Sequence, residues 1–423
     1  LRLFPLVSDS NNTWYSSNQH TFFSGRDSLF VSSIMPMYFS SLTESLQSND
    51  WSVSDSISNY ISDFQKLYGQ EVLPKDYKIT LEILYNNIDI FSKLFKYYLF
   101  VGFLLLIILF IHLFNSSQVL NLAIRCLNSL IIVGFFFQTL GLIVRWIISG
   151  HAPWSNGYES MIYIAWATML AGIIFSRRSN FTLAATSVLS SFLLMVAHLN
   201  WLDPTITNLV PVLNSYWLMI HVSIITASYG FLALGAILAL ISLWIIVFTS
   251  SSNKNRLNTL LHELTYINER TLTVGLFMLA TGTFLGGVWA NESWGRYWGW
   301  DPKETWALVS ILVYVFVLHL RLIPKMSSIL YFNITAMSAI KVIGMTYFGV
   351  NYYLSGLHSY AAGDPMPIPD FLYYIIAFFI FTIVLSSIRF NKLYHKLSFG
   401  ALILLFLIFY PELFLIFKMS AIQ

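Results

Sequence analysis

Polar and apolar positions divide the chain in two. Residues 1 to about 94 are rich in Ser, Asn and Asp, as in Asn11-Asn12, Ser45 to Ser58 and Leu73-Pro74-Lys75-Asp76. They contain no run long enough to span a bilayer. From about residue 95, apolar runs of helix-spanning length alternate with short polar breaks. About ten such runs can be counted, at roughly 97–114, 124–148, 159–176, 181–199, 216–249, 271–290, 305–321, 329–350, 369–388 and 397–417. The pattern predicts an all-α integral membrane protein of about ten transmembrane helices over residues 95–423, preceded by an extracytoplasmic, water-exposed region over residues 1–94. The segment from Lys78 to Asn87 has mixed spacing that suits a packed element of either kind, leading into the first membrane helix.

Composition agrees with that environment: 57% of residues are hydrophobic and only 10% charged, too little polar surface to coat a soluble protein of this size. The formal net charge of +3 is small, and the cations sit in short patches between apolar runs, so binding to nucleic acid has no support. Those patches report topology instead. Arg177-Arg178, then Lys254 and Arg256, then Arg321 and Lys325, then Arg389, Lys392 and Lys396 occupy alternate breaks, which the positive-inside rule makes cytoplasmic. The breaks holding His151, Trp201, His358 and the tryptophans described next are then outside, as is the N-terminal region. The chain begins with Leu1 and carries no signal-peptide pattern, so it reads as the back part of a longer, processed or fused polypeptide.

Five of the thirteen tryptophans fall between residues 289 and 306: Trp289, Trp294, Trp298, Trp300 and Trp306. An interfacial aromatic belt spreads over many helix ends, whereas this cluster lies on one expected loop beside glycines that permit close approach of a large flat ligand. The single Cys126 excludes an internal disulfide framework or a thiolate-cluster metal site, leaving imidazole among the nine histidines as the obvious ligand type. His221 lies about a turn into the fifth run, near the outer face, and His358 lies in an outer loop beyond the eighth. Two imidazoles and an aromatic surface on one membrane face are what a bis-histidine haem site needs. His319 comes thirteen residues after Trp306, roughly 20 Å deeper in a continuous helix. It is a separate intramembrane candidate without an obvious partner. His112 closes an apolar run and His262 sits in a polar break. Asp301-Pro302-Lys303-Glu304 also reads as a helix start, with Asp301 as N-cap and Glu304 completing a capping box.

The run Trp294-Gly295-Arg296-Tyr297-Trp298-Gly299-Trp300-Asp301 resembles the WGxxWxWD signature of haem-handling membrane proteins (WWD domain), and the chain is similar to the CcsA/ResC subunit of the system II cytochrome c synthase. His151 to Ser160 resembles that family's outer loop, Trp217 to Val222 its first histidine segment, and Gly356 to Tyr360 its second. The likeness covers roughly residues 95–365. Residues 1–94, notably Pro74 to Phe91, are similar to the region preceding this subunit in fused CcsBA-type synthases.

The resemblance implies a role in cytochrome c biogenesis in a bacterial inner membrane, with the tryptophan-rich loop and N-terminal region on the periplasmic side. Haem b would cross the membrane and be presented outside, where the thiols of an apocytochrome c CxxCH motif add to its vinyl groups. His221 and His358 would be axial ligands of the outer haem. His319 would be one ligand of an intramembrane haem, with its partner in a CcsB/ResB-type half, fused or separate. Trp289, Trp294, Trp298, Trp300, Asp301 and Trp306 would line the haem seat. Arg296 and Lys303 would be counter-ions for the propionates, which need charge-assisted donors. No protein nucleophile is required; the scaffold positions the reactants, and a thiol-reducing partner keeps the substrate cysteines reduced. Two alternatives stand beside this synthase: a haem carrier or chaperone without attachment activity, and a non-haem transporter that uses its tryptophans as anchors.

Overall fold

The computed structural model describes residues 1–6, 13–70, 73–115, 117–199, 202–206, 215–251, 253–354, 356, 370–395 and 397–410. The chain divides into two compact units, Leu1–Ile83 and Leu84–Gln423. In the first, a short antiparallel pair, β1 (Phe4–Pro5) and β2 (Trp14–Tyr15), precedes α1 (Gly25–Ser48) and α2 (Ser52–Tyr68). Phe4, Phe23, Val31, Ile34, Ile57 and Phe64 form its core, in which Phe30 stacks on Phe64 with ring centroids 4.9 Å apart. The segment of undecided character is a helix, α3 (Asp76–Ile88), with no buried residue.

The second unit is helical: α4 (Ile90–Phe114), α5 (Gln118–Ser149), α6 (Gly157–Phe175), α7 (Asn180–His198), α8 (Tyr216–Phe248), α9 (Lys254–Trp294), α10 (Pro302–His319), α11 (Ile329–Ser338), α12 (Ile340–Gly344), α13 (Val350–Tyr353), α14 (Asp370–Tyr394) and α15 (Phe399–Phe409). Among the described residues, nine helical segments are long and apolar enough to cross a membrane. The protein is therefore an all-α, multi-pass membrane protein. The tenth expected run contributes α15, eleven residues long; its remainder beyond residue 410 lies outside the described residues.

Two expected elements differ. The sixth run was expected from about residue 271, with His262 in a polar break, yet α9 begins at Lys254 and His262 lies within it. Leu257, Leu261, Leu264 and Leu272 are buried along one side, and this narrow apolar stripe holds a helix whose other faces are too polar for a hydropathy window to register. The eighth run is not one regular helix. A π-turn at Met345–Gly349 separates α12 from α13; such turns insert a residue and re-aim the side chains beyond them.

Small and hydroxyl residues draw α4, α6 and α7 together. Ser187 and Ser191 of α7 donate to the carbonyls of Tyr98 (3.1 Å) and Phe95 (2.8 Å) on α4, and Ser190 donates to Ala165 on α6 (2.6 Å). In a membrane these contacts replace the hydrophobic effect as the association force. A Cβ on Gly172 of α6 would come within 2.1 Å of Thr186 Oγ1, so the two backbones meet only because that atom is missing. Gly172→Val is expected to cost about 1–3 kcal/mol as an overpacked contact, measured as a lower melting temperature of the detergent-solubilised protein.

Candidate functional site

At one end of the helical unit, the links α5–α6 and α9–α10, the segment following α7, and α13 gather around a cavity of about 580 Å³. This lies within the range of small-molecule pockets, about 300–1,000 Å³. α8 lends one face, Leu218, His221, Val222, Ile225 and Tyr229, recurring at the three- and four-residue spacing of one helix side. From Leu218 to Tyr229 that face runs roughly 16 Å along the helix axis. α9 adds Gly286 and Trp289, α10 adds Lys303, and the π-turn and α13 add Tyr347 and Asn351.

His221 is buried, 7% exposed. Its Nδ1 lies 2.8 Å from the Trp217 carbonyl one turn back on α8. A carbonyl only accepts, so Nδ1 carries a proton, and Nε2 is the nitrogen through which the neutral imidazole would ligate a metal. The ring of Trp289 lies 5.4 Å from the imidazole, and a Cβ on Gly286 would stand 3.3 Å from His221 Cδ2. Glycine there leaves the imidazole its place.

The tryptophan cluster is not one loop. Trp289 and Trp294 belong to the last turns of α9, which ends where Gly295 adopts φ +70° and its N–H bonds the Asn291 carbonyl at 2.9 Å. Trp306 lies on α10. Only residues 295–301 form the link. Trp289 and Trp298 line the cavity, Trp294 packs edge-on against Trp289 at 4.7 Å, and Trp300 is 70% exposed with φ +57°. Trp306 is half-buried, and its carbonyl accepts from Thr346 Oγ1 at 3.2 Å.

Asp301 caps α10: its carboxylate accepts from the Lys303 N–H at 3.1 Å, and Glu304 closes the capping box by accepting from the N–H groups of Asp301 and Gly299. Glu304 also lies 3.6 Å from the Arg296 guanidinium. Arg296 therefore has an anionic neighbour within the link. Lys303 lies inside the cavity and donates from Nζ to Asn351 Oδ1 at 2.8 Å. Asn351 is itself held by donating to the Tyr347 carbonyl at 2.7 Å. At the rim, the Thr205 N–H holds the Asp203 carboxyl below its usual range, so Asp203 is a fixed negative charge.

His358 lies outside the described residues. Two residues earlier, Gly356 abuts the start of α10, where a Cβ would come within 2.2 Å of Asp301 Oδ1 and 2.8 Å of Pro302 Cδ. His319 ends α10, exposed, with Nδ1 2.8 Å from the Val315 carbonyl. Among the described residues, no three His, Cys, Asp or Glu side chains gather to hold a metal ion.

Trp154, Asn156 and Tyr158, which line the cavity, belong to the segment 151–160 that resembles an outer loop of the family, while Tyr347 and Asn351, which also line it, carried no signal in the sequence. Arg145 was also passed over, although a charge in the last turn of a predicted span is itself a signal.

A family model described as "Cytochrome C assembly protein" matches residues 154–358. Protein NrfI of Wolinella succinogenes is 43% identical over 380 residues, covering 86% of this chain; the chain spans 40% of NrfI's length. The cytochrome c biogenesis protein CcsA of Prochlorococcus marinus subsp. pastoris is 33% identical over 309 residues, 66% of this chain and 94% of that protein. CcsA of Guillardia theta is 36% identical over 245 residues, 52% of this chain and 81% of that protein. Among solved structures, the cytochrome c haem lyase CcmF is 14% identical with a TM-score of 0.47, over 72% of this chain and 51% of that one.

Proposed function

The chain belongs to the cytochrome c assembly protein family, within its CcsA members, and from that premise we propose that it acts as a cytochrome c synthase of the haem lyase type. Its substrate is haem b, carried across the membrane and presented for attachment to the CxxCH motif of apocytochrome c. The observation that carries this reading is the cavity itself, where the His221 imidazole, the aromatic walls Trp289 and Trp298, and the ammonium of Lys303 face one space. A porphyrin needs these three chemistries: an axial ligand, an apolar seat and a counter-charge for its carboxylates.

In this reading His221 holds the iron from α8, and His358 supplies the second axial ligand from the segment that follows Gly356. Gly356, two residues before His358, abuts Asp301 and Pro302 at the start of α10. Lys303, steadied by Asn351, takes a propionate. Arg296 is the weaker counter-ion, because Glu304 already shares its charge. Trp294, Trp300 and Trp306 support the seat from outside the lining, and Asp301 acts by capping the helix that carries Lys303.

Each thioether forms when a cysteine sulfur bonds to one vinyl carbon, the carbon–carbon π bond breaks, and a proton passes to the other vinyl carbon. No protein nucleophile takes part, so the chain contributes positioning. The positive-inside pattern of the sequence supports a periplasmic face, in a bacterial inner membrane, for the end that holds the cavity. A CcsB/ResB-type half, fused upstream or separate, completes the machine, and a thiol-reducing partner supplies reduced apocytochrome.

An absorption spectrum of the purified protein tests the reading; a low-spin b-type haem spectrum is expected, and a haem-free protein that takes up none when haem is added would point to the non-haem transporter. Within the cluster, Trp298→Ala should lower haem per protein while leaving membrane insertion intact, and Trp300→Ala should do so less because its ring is mostly exposed. If the tryptophans were anchors only, expression would fall and haem per protein would stay constant. A haem-loaded protein that never forms thioethers, even with its partners present, would leave the carrier.

A further inference from the structure

Arg145 near the end of α5 and Glu159 in the first turn of α6 are both buried, with Arg145 Nε donating to Glu159 Oε1 at 2.8 Å. Neither lines the cavity, yet their remaining hydrogen bonds go to segments that do. Arg145 Nη1 donates to the Pro204 carbonyl at 2.9 Å and Nη2 to the Thr205 carbonyl at 3.3 Å. Glu159 Oε2 accepts from the Ser155 N–H at 2.9 Å and from Ser155 Oγ at 2.7 Å. The guanidinium also lies 5.0 Å from the Tyr158 ring centroid and donates to the Tyr85 hydroxyl at 3.4 Å.

An ion pair serving only to join α5 and α6 needs neither of those outer bonds. Here the planar fork of the guanidinium reaches two successive carbonyls of one rim segment, 202–205, while the carboxylate grips the other, 154–158. Trp154, Ser155, Asn156 and Tyr158 on one side, and Leu202, Asp203 and Thr205 on the other, all line the cavity. The two rim segments lie in irregular backbone outside the helices or at a helix start, where no regular ladder of hydrogen bonds fixes their separation.

We propose that Arg145 and Glu159 are positioning residues that hold the two rim segments at a fixed separation and so set how tightly the cavity grips haem. This rests on the haem reading above. Lysine at 145 keeps the charge beside Glu159, but its ammonium is a point donor without the planar fork that spans a carboxylate and two carbonyls. Arg145→Lys should therefore fold and keep the His221-ligated spectrum. It should bind haem about 10-fold more weakly, the low end of what disturbing a partner of an iron ligand costs, because Arg145 holds the rim and not a ligand. Backbone amide exchange should quicken in 154–158 and 202–206. Arg145→Met combined with Glu159→Met leaves no lone buried charge, so folding is kept where a single truncation loses it, and the same two changes are expected.

Wild-type haem affinity or wild-type exchange at both rim segments, in either folded variant, would overturn the proposal. So would failure of both variants to fold, which would assign the pair to the fold alone. If the unaltered protein takes up no haem, the haem reading fails on that result, while the exchange rates still judge the clamp.

Discussion

His221→Ala is expected to abolish cytochrome c maturation while the protein still inserts and folds. The imidazole is the one histidine among the described residues that line the cavity. Removing it leaves an apolar wall of Trp289, Leu218 and Ile225 that holds the porphyrin without a ligand from α8. The loss should exceed the about 10–100-fold that disturbing an outer-shell partner costs, because a ligand itself is gone. His358→Ala should have the same effect if it supplies the second ligand, as proposed. Added imidazole should restore part of the activity in each, because it brings the ring and the lone pair that the substitution removed. Trp217 cannot be used as a substitute test, since its carbonyl, not its side chain, orients His221. Unchanged maturation in both single variants would remove the two histidines from the mechanism.

His319→Ala is expected to deplete haem from the whole protein, whereas His221→Ala should leave any inner haem loaded. His221 lies near the start of α8, at the cavity, and His319 at the far end of α10. His319 closes α10, which starts beside the cavity at Pro302, so roughly 25 Å of helix separates its ends. His319 is exposed on the outside of the unit, with Nδ1 turned to its own helix. A second ligand there would come from another element, which suits the proposed partner histidine in an upstream half. Imidazole should correct the His319→Ala protein when that half is present. Full haem content and activity in His319→Ala without imidazole would leave direct loading from outside as the better route. The assay is haem per protein by pyridine haemochrome, alongside yield of matured cytochrome c.

Much of this protein is written in local pattern. Most of the membrane spans follow from runs of apolar residues, because hydrocarbon leaves few other solutions for a backbone; of the ten expected, nine are long and apolar enough to cross among the described residues. The start of α10 at Asp301-Pro302 follows equally from cap chemistry within four residues. His221 and the tryptophan-rich run were legible because imidazole and indole are costly residues to cluster by chance. What pattern could not supply is adjacency between distant segments. The π-turn at Met345–Gly349 carries Tyr347 and leads to Asn351, and its Thr346 bonds the Trp306 carbonyl 40 residues back in the chain. The neutralisation of Arg296 by Glu304, and the holding of Lys303 by Asn351, are decided by side chains 8 and 48 residues apart in the chain. Arg145 is the clearest case. Sequence marks it only as a charge at the end of an apolar run, while its partners Tyr85, Glu159, Pro204 and Thr205 come from three other segments. Hydropathy sets where the chain crosses, because that depends on each segment alone. The cavity exists only where several crossings meet, because a buried polar group must find its partner in space rather than in sequence.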